Sequence, residues 1–305
     1  MSNNDAGSSN TIFGQNAGDA IASGGNDNAF FGDDAGSAIT TGDNNVAIGK
    51  SAFDTATSSS HNIAIGWNAL GDIVGGAVLY NTAIGYRAME GAQVGGADGN
   101  VAIGAFSLLT NTTGSANVSV GNSSMENNTT GIDNVAIGDA ALKANTTGFK
   151  NVALGHDSLI KNTTGDYNMA MGNLALGNNT TGEYNMAIGA GALQVNIGGS
   201  NNIAIGASAM INNNWATSSV AIGLEAAKGN IAYNAQNITA IGAEALEVIQ
   251  TGGDNNIAIG YRAGDNITTG ASNLIIGYNV DSVSATASNQ LNIGNLIFSE
   301  GIDGE

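Results

Sequence analysis

The chain has 305 residues with 46 glycines, no proline and no cysteine, and 10% of its residues are charged against 42% apolar; this excludes collagen, a disulfide scaffold and a charge-rich disordered chain. Seven Lys and Arg against 25 Asp and Glu leave a net charge of −18, a surface that repels nucleic acid and anionic lipid. Apolar runs such as 63–65 are too short for a membrane-spanning helix, and the opening residues 1–7 have neither the basic nor the apolar stretch of a secretory signal.

From the first residues onward one short element recurs, Asn-Val-Ala-Ile-Gly and close variants. Its glycine falls at Gly14, Gly32, Gly49, Gly66, Gly85, Gly104 and so on to Gly294, in 17 units. The spacing is 17 residues in eleven of sixteen cases and 18 or 19 in the others. In the third unit, Asn45-Val46-Ala47-Ile48-Gly49 alternates large and small residues with period two, which predicts a short strand with the Val46 and Ile48 side buried. Asn134-Val135-Ala136-Ile137-Gly138 repeats the pattern, and Met169 and Met171 take the same slots later. Asn stands four residues before the glycine in 14 of the 17 units and predicts an amide ladder between stacked rungs. Gly49 and Gly138 end their strands in a backbone conformation other residues resist. Three residues on, a small residue such as Ala52 or Ala141 precedes a larger apolar one such as Phe53 or Leu142, which predicts a second short strand on the return side. A second corner reads Asn-Thr-Thr-Gly, ending at Gly114, Gly131, Gly148, Gly165 and Gly182.

One such unit cannot bury its apolar face alone, whereas stacked units can. The expected fold is therefore all-β, a parallel β-roll or solenoid of about 17 rungs, with the repeat array over 1–288 and 289–305 as last rung and cap. At the strand spacing its length would be roughly 80 Å. Proline is absent because it would remove ladder donors.

The string Asn-Val-Ala-Ile-Gly-x-x-[Ala/Ser], as at 45–52 and 134–141, resembles the repeat of trimeric autotransporter (YadA-like) adhesin heads. The longer unit with Asn-Thr-Thr-Gly, and the ending 289–305, are more similar to bacteriophage tail-fibre and virion-appendage proteins. The resemblance implies a left-handed roll, assembly as a homotrimer, and a processing boundary near Glu305. Small residues at the Ala47 and Ala52 positions would in addition let backbones of neighbouring copies approach closely.

Catalytic, cofactor and metal candidates are absent from this reading. His61 and His156 lie five rungs apart, roughly 24 Å at the strand spacing, and cannot share a site. Asp43, Asp166 and Asp254 sit in turn contexts that favour capping over calcium binding. Asn111, Asn128, Asn145, Asn162 and Asn179 match a glycosylation pattern, but the hit follows the structural period and reads as a turn. The threonines of the same turns could form the flat array of an ice-binding face. The longer units, with extra residues in 71–80, 91–100 and 228–236, should bulge outward. Aromatic side chains near them, Trp67, Tyr80, Tyr86, Trp215 and Tyr233, are the candidate receptor contacts.

These features predict a structural, non-enzymatic segment of a phage tail fibre or similar virion appendage. Its expected partners are its own copies, other fibre proteins and a glycan or protein of a bacterial surface, without nucleic acid or membrane insertion. A bacterial cell-surface adhesin head is the alternative, and an ice- or calcium-binding solenoid a minor one.

Overall fold

The computed structural model describes residues 7–230, 234–294 and 297–299, the last three as backbone only. The chain divides into two compact units, 1–151 and 152–305. Both are parallel β-solenoids, and among the described residues neither contains a helix.

In the first unit eight three-residue strands, from Thr11–Phe13 to Val135–Ile137, each pair in parallel with the next in the chain. Register is kept from turn to turn, as in Val46↔Ile63, Ala47↔Ala64 and Ile48↔Ile65. The second unit repeats this with nine strands, from Val152–Leu154 to Leu291–Ile293, and adds Ile297–Ser299, antiparallel to the last of them.

Three residues is as long as a strand can be here. The closing glycine has φ of +141° at Gly138 and +127° at Gly49, which turns the chain out of the ladder. At Gly121 a Cβ would run into the carbonyl oxygen of Gly138 in the next turn, so glycine is required by space as well as by φ. The expected second strand on the return side does not form among the described residues. Most turns place three residues in the left-handed region, such as Asp133 (φ 57°), Ala140 (φ 53°) and Leu142 (φ 53°), and a chain that turns this often cannot stay extended. Leucine at such a φ costs about 1 kcal/mol. Complete burial of its side chain contributes about 2 kcal/mol and wins.

The parity of the strand is the reverse of the expectation. Ala47, Ala64, Ala136 and Ala153 are fully buried, whereas Ile48 is 40% exposed, Ile137 44% exposed, and Val46 and Val135 half-buried. Met169 and Met171 likewise sit on the outer face. The interior is already filled by Leu142, Ala141 and their equivalents from the return side, together with buried asparagines, so only a methyl group fits on the strand's inner side. The small residues at the Ala47 and Ala52 positions therefore line each coil and are not available to a neighbouring copy.

The buried asparagines form the expected ladder. Asn45 donates its backbone N–H and its amide to Oδ1 of Asn28 (2.9 and 3.1 Å), and the amide also reaches the Ser59 carbonyl (2.8 Å). A second ladder runs through the Asn-Thr-Thr-Gly corners, with Asn128 donating to Asn111 Oδ1 (3.0 Å) in the first unit and Asn179 to Asn162 Oδ1 (2.8 Å) in the second. Where serine replaces the inner alanine, the hydroxyls satisfy one another. Ser107 donates to Ser119 Oγ (2.7 Å), which donates to the Ser124 carbonyl (2.8 Å).

The first two longer turns bulge outward and stack. Val74 N–H donates to Gln93 O (2.7 Å) and Gly95 N–H to Gly75 O (2.8 Å), with Val74 and Val94 exposed. The third long turn includes 231–233, outside the described residues.

Candidate functional site

The aromatic candidates of the first unit fall into two clusters. Trp67 and Tyr86 follow closing glycines of successive turns, so the rung register stacks them, with ring centres 5.1 Å apart and planes at 15°. Phe106 meets Tyr86 edge-on at 5.2 Å, and the Arg87 guanidinium lies 5.7 Å from the Phe106 ring centre. Glu90 accepts from both Arg87 and Asn68, and its hydrogen bond raises the Arg87 pKa further above its ordinary value. Trp67 is 44% exposed, but its stacked face is spent on Tyr86. Tyr80 belongs elsewhere, stacked on His61 at 5.0 Å. Among the described residues no ring contact joins the two clusters.

In the second unit Trp215 is 49% exposed and lays its indole over Gly198, where a Cβ would strike the ring. Tyr233 lies outside the described residues. Two exposed aromatic pairs escaped the sequence reading, Tyr167 on Tyr184 (4.8 Å) and Tyr261 on Tyr278 (5.4 Å). Both were detectable, because each pair occupies one slot of the repeat in consecutive units.

The turn aspartates act as caps on neighbouring turns. Asp43 Oδ1 accepts from Asn26 N–H (2.7 Å) and Asp254 Oδ1 from Gln236 N–H (2.8 Å). Among the described residues no group of three or more His, Asp or Glu side chains is placed to hold a metal ion. Asn111, Asn128, Asn145, Asn162 and Asn179 are fully buried, which leaves no room for a glycan on their amides. The hydroxyl of the first threonine in these turns is committed to the stack, as in Thr112 to Thr129 O (2.9 Å) and Thr163 to Thr180 O (3.0 Å). No helix among the described residues is long and apolar enough to cross a membrane.

The outer strand face is apolar. In each unit two side chains per turn, Val or Ile in most turns, form two parallel rows, half-buried or exposed from end to end. No family model matches the chain, and no curated protein shows significant similarity to it.

Proposed function

We propose that the chain is a structural, non-enzymatic segment of a phage tail fibre or similar virion appendage, working as a left-handed homotrimeric roll that meets a bacterial surface. One observation carries this reading: the paired Val and Ile rows on the outer strand face. Water does not tolerate such rows cheaply, since covering one half-exposed Ile contributes about 1 kcal/mol. The occupant that suits them is another copy of the same chain. Rungs at one spacing let every turn meet its own equivalent around a common axis, so one favourable contact recurs at each level.

The remaining surface suits an attachment role. The exposed aromatic side chains Trp67 and Tyr80 in the first unit and Trp215 in the second lie in turns, outside the strands. Light scattering tests the assembly: three chain masses are expected, falling to one for Ile103→Glu combined with Ile137→Glu. A single-chain mass for the unmodified protein would remove the reading.

A further inference from the structure

In the second unit a groove of about 480 Å³ runs along the Asn-Thr-Thr-Gly corners, between side chains that precede and follow the buried asparagines of four successive turns. Its floor is aliphatic, Val195 and Ile197, and its walls carry the amides of Asn178, Asn212 and Asn214 and the ammonium of Lys161.

Two observations set this groove apart from the rest of the corner face. The first concerns charge. Lys50, Lys143, Lys228, Arg87 and Arg262 have carboxylate partners, and Lys150 lies 5.8 Å from the Phe149 ring centre. Among the described residues Lys161 has no such partner, although acidic residues outnumber basic ones 25 to 7. The second concerns the corner ladder, which stops here. Asn196 donates to Asn179 Oδ1 (2.7 Å), but at the next turn Ala216 stands in place of the usual glycine and its N–H is taken by Asn213 Oδ1 (2.8 Å). Asn196 Oδ1 and Asn213 Nδ2 are left buried without partners, and so is Oδ1 of Asn214 in the groove wall. Buried polar atoms without partners are costly, and of these three residues only Asn214 lines the groove.

We infer that this groove binds an acidic saccharide. Val195 and Ile197 suit the C–H face of a pyranose, amide donors and acceptors suit its hydroxyls, and Lys161 suits a carboxylate. Trp215, next to Asn214 in the chain, adds an exposed ring beside the site. Nucleic acid is disfavoured by a single cation on a surface of net charge −18. The inference deepens the surface-attachment reading and rests on it for its biological role, while the chemistry is that of the groove alone.

The test is calorimetric titration of the full chain with a short oligogalacturonate and with the neutral galactan of equal length. Binding of the acid is expected with Kd of about 1 mM, weakened about five- to tenfold by Lys161→Gln and abolished by Asn214→Asp, with both variants melting as the parent does. Equal binding of acid and neutral sugar, no binding of either, or indifference to Lys161→Gln would each overturn the inference. Light scattering on the same samples separates the two proposals: a trimer without Lys161-dependent binding removes the groove alone, and a monomer with it removes the fibre reading alone.

Discussion

Asn134 donates both its backbone N–H and its side-chain amide to one atom, Oδ1 of Asn117, at 3.0 and 3.2 Å, while the same amide reaches across the coil to the Gly148 carbonyl at 2.9 Å. Its own Oδ1 then receives the N–H and amide of Asn151 (2.9 and 3.2 Å). A single buried residue thus ties three turns and both corners together.

Truncating it strands those groups. Asn134→Ala is expected to destabilise the first unit by about 3 kcal/mol, from buried groups left without partners. Asn134→Ser should cost about half as much, because serine keeps an acceptor for the next turn, as Ser219 does for Ile238 N–H at 3.3 Å. Urea unfolding of the two variants measures the difference, and equal losses would show that the acceptor is not what matters.

The corners predict opposite signs for two glycine exchanges. Gly121→Ala should cost about 3 kcal/mol or more, since φ is +136° and the new methyl meets the Gly138 carbonyl. Ala140→Gly should stabilise by up to about 1 kcal/mol by relieving a left-handed alanine at φ 53°. Thermal melts of the two proteins check both, and a destabilised Ala140→Gly would mean that unfolded-state entropy outweighs the relief.

Inside the first unit Ser107 and Ser119 should behave as a coupled pair. Either single change to alanine removes one of the two hydroxyls in the buried relay that ends on the Ser124 carbonyl, and a loss of about 1–2 kcal/mol is expected. The double change should cost less than the sum, because two methyl groups need no partners. Additive losses in this double-mutant cycle would contradict the network.

The pH dependence has a defined sign at Asp281. Burial, then a hydrogen bond with Asp265 and its charge, raise this carboxyl from 3.8 to about 6. A folded pKa above the unfolded one means that its stabilising contribution is complete below the unfolded value and is lost as pH rises through about 6. Asp281→Asn is therefore expected to raise Tm at pH 7.5 by about 1–2 °C, a small effect for a largely exposed group, with the gain vanishing near pH 4. Asp54, raised chiefly by burial, adds to the parent's fall with the same sign. Melts at the two pH values decide it, and a gain of equal size at both would rule out titration.

Periodicity alone determined the repeat, the parallel stacking, the closing glycines and the Asn45-type ladder, since each is a demand that recurs at one spacing and leaves its mark at every turn. The aromatic stack of Trp67 on Tyr86 was half legible: both residues stood out, but their mutual contact, and the separate place of Tyr80 on His61, needed the rung register. Which side of the strand faces inward was not legible. Alternation marks two faces without saying which is buried, and the choice fell to volume: Leu142 and its equivalents already fill a narrow coil, so Ala136 turns in and Val135 and Ile137 turn out. The groove at Lys161 is still less visible in the chain, because Lys161, Asn178, Val195, Ile197, Asn212 and Asn214 come from four separate turns and meet only through the rung register. Sequence determined the rung and its stacking, and tertiary packing decided which surfaces the stack presents, because burial depends on what space the other side chains leave.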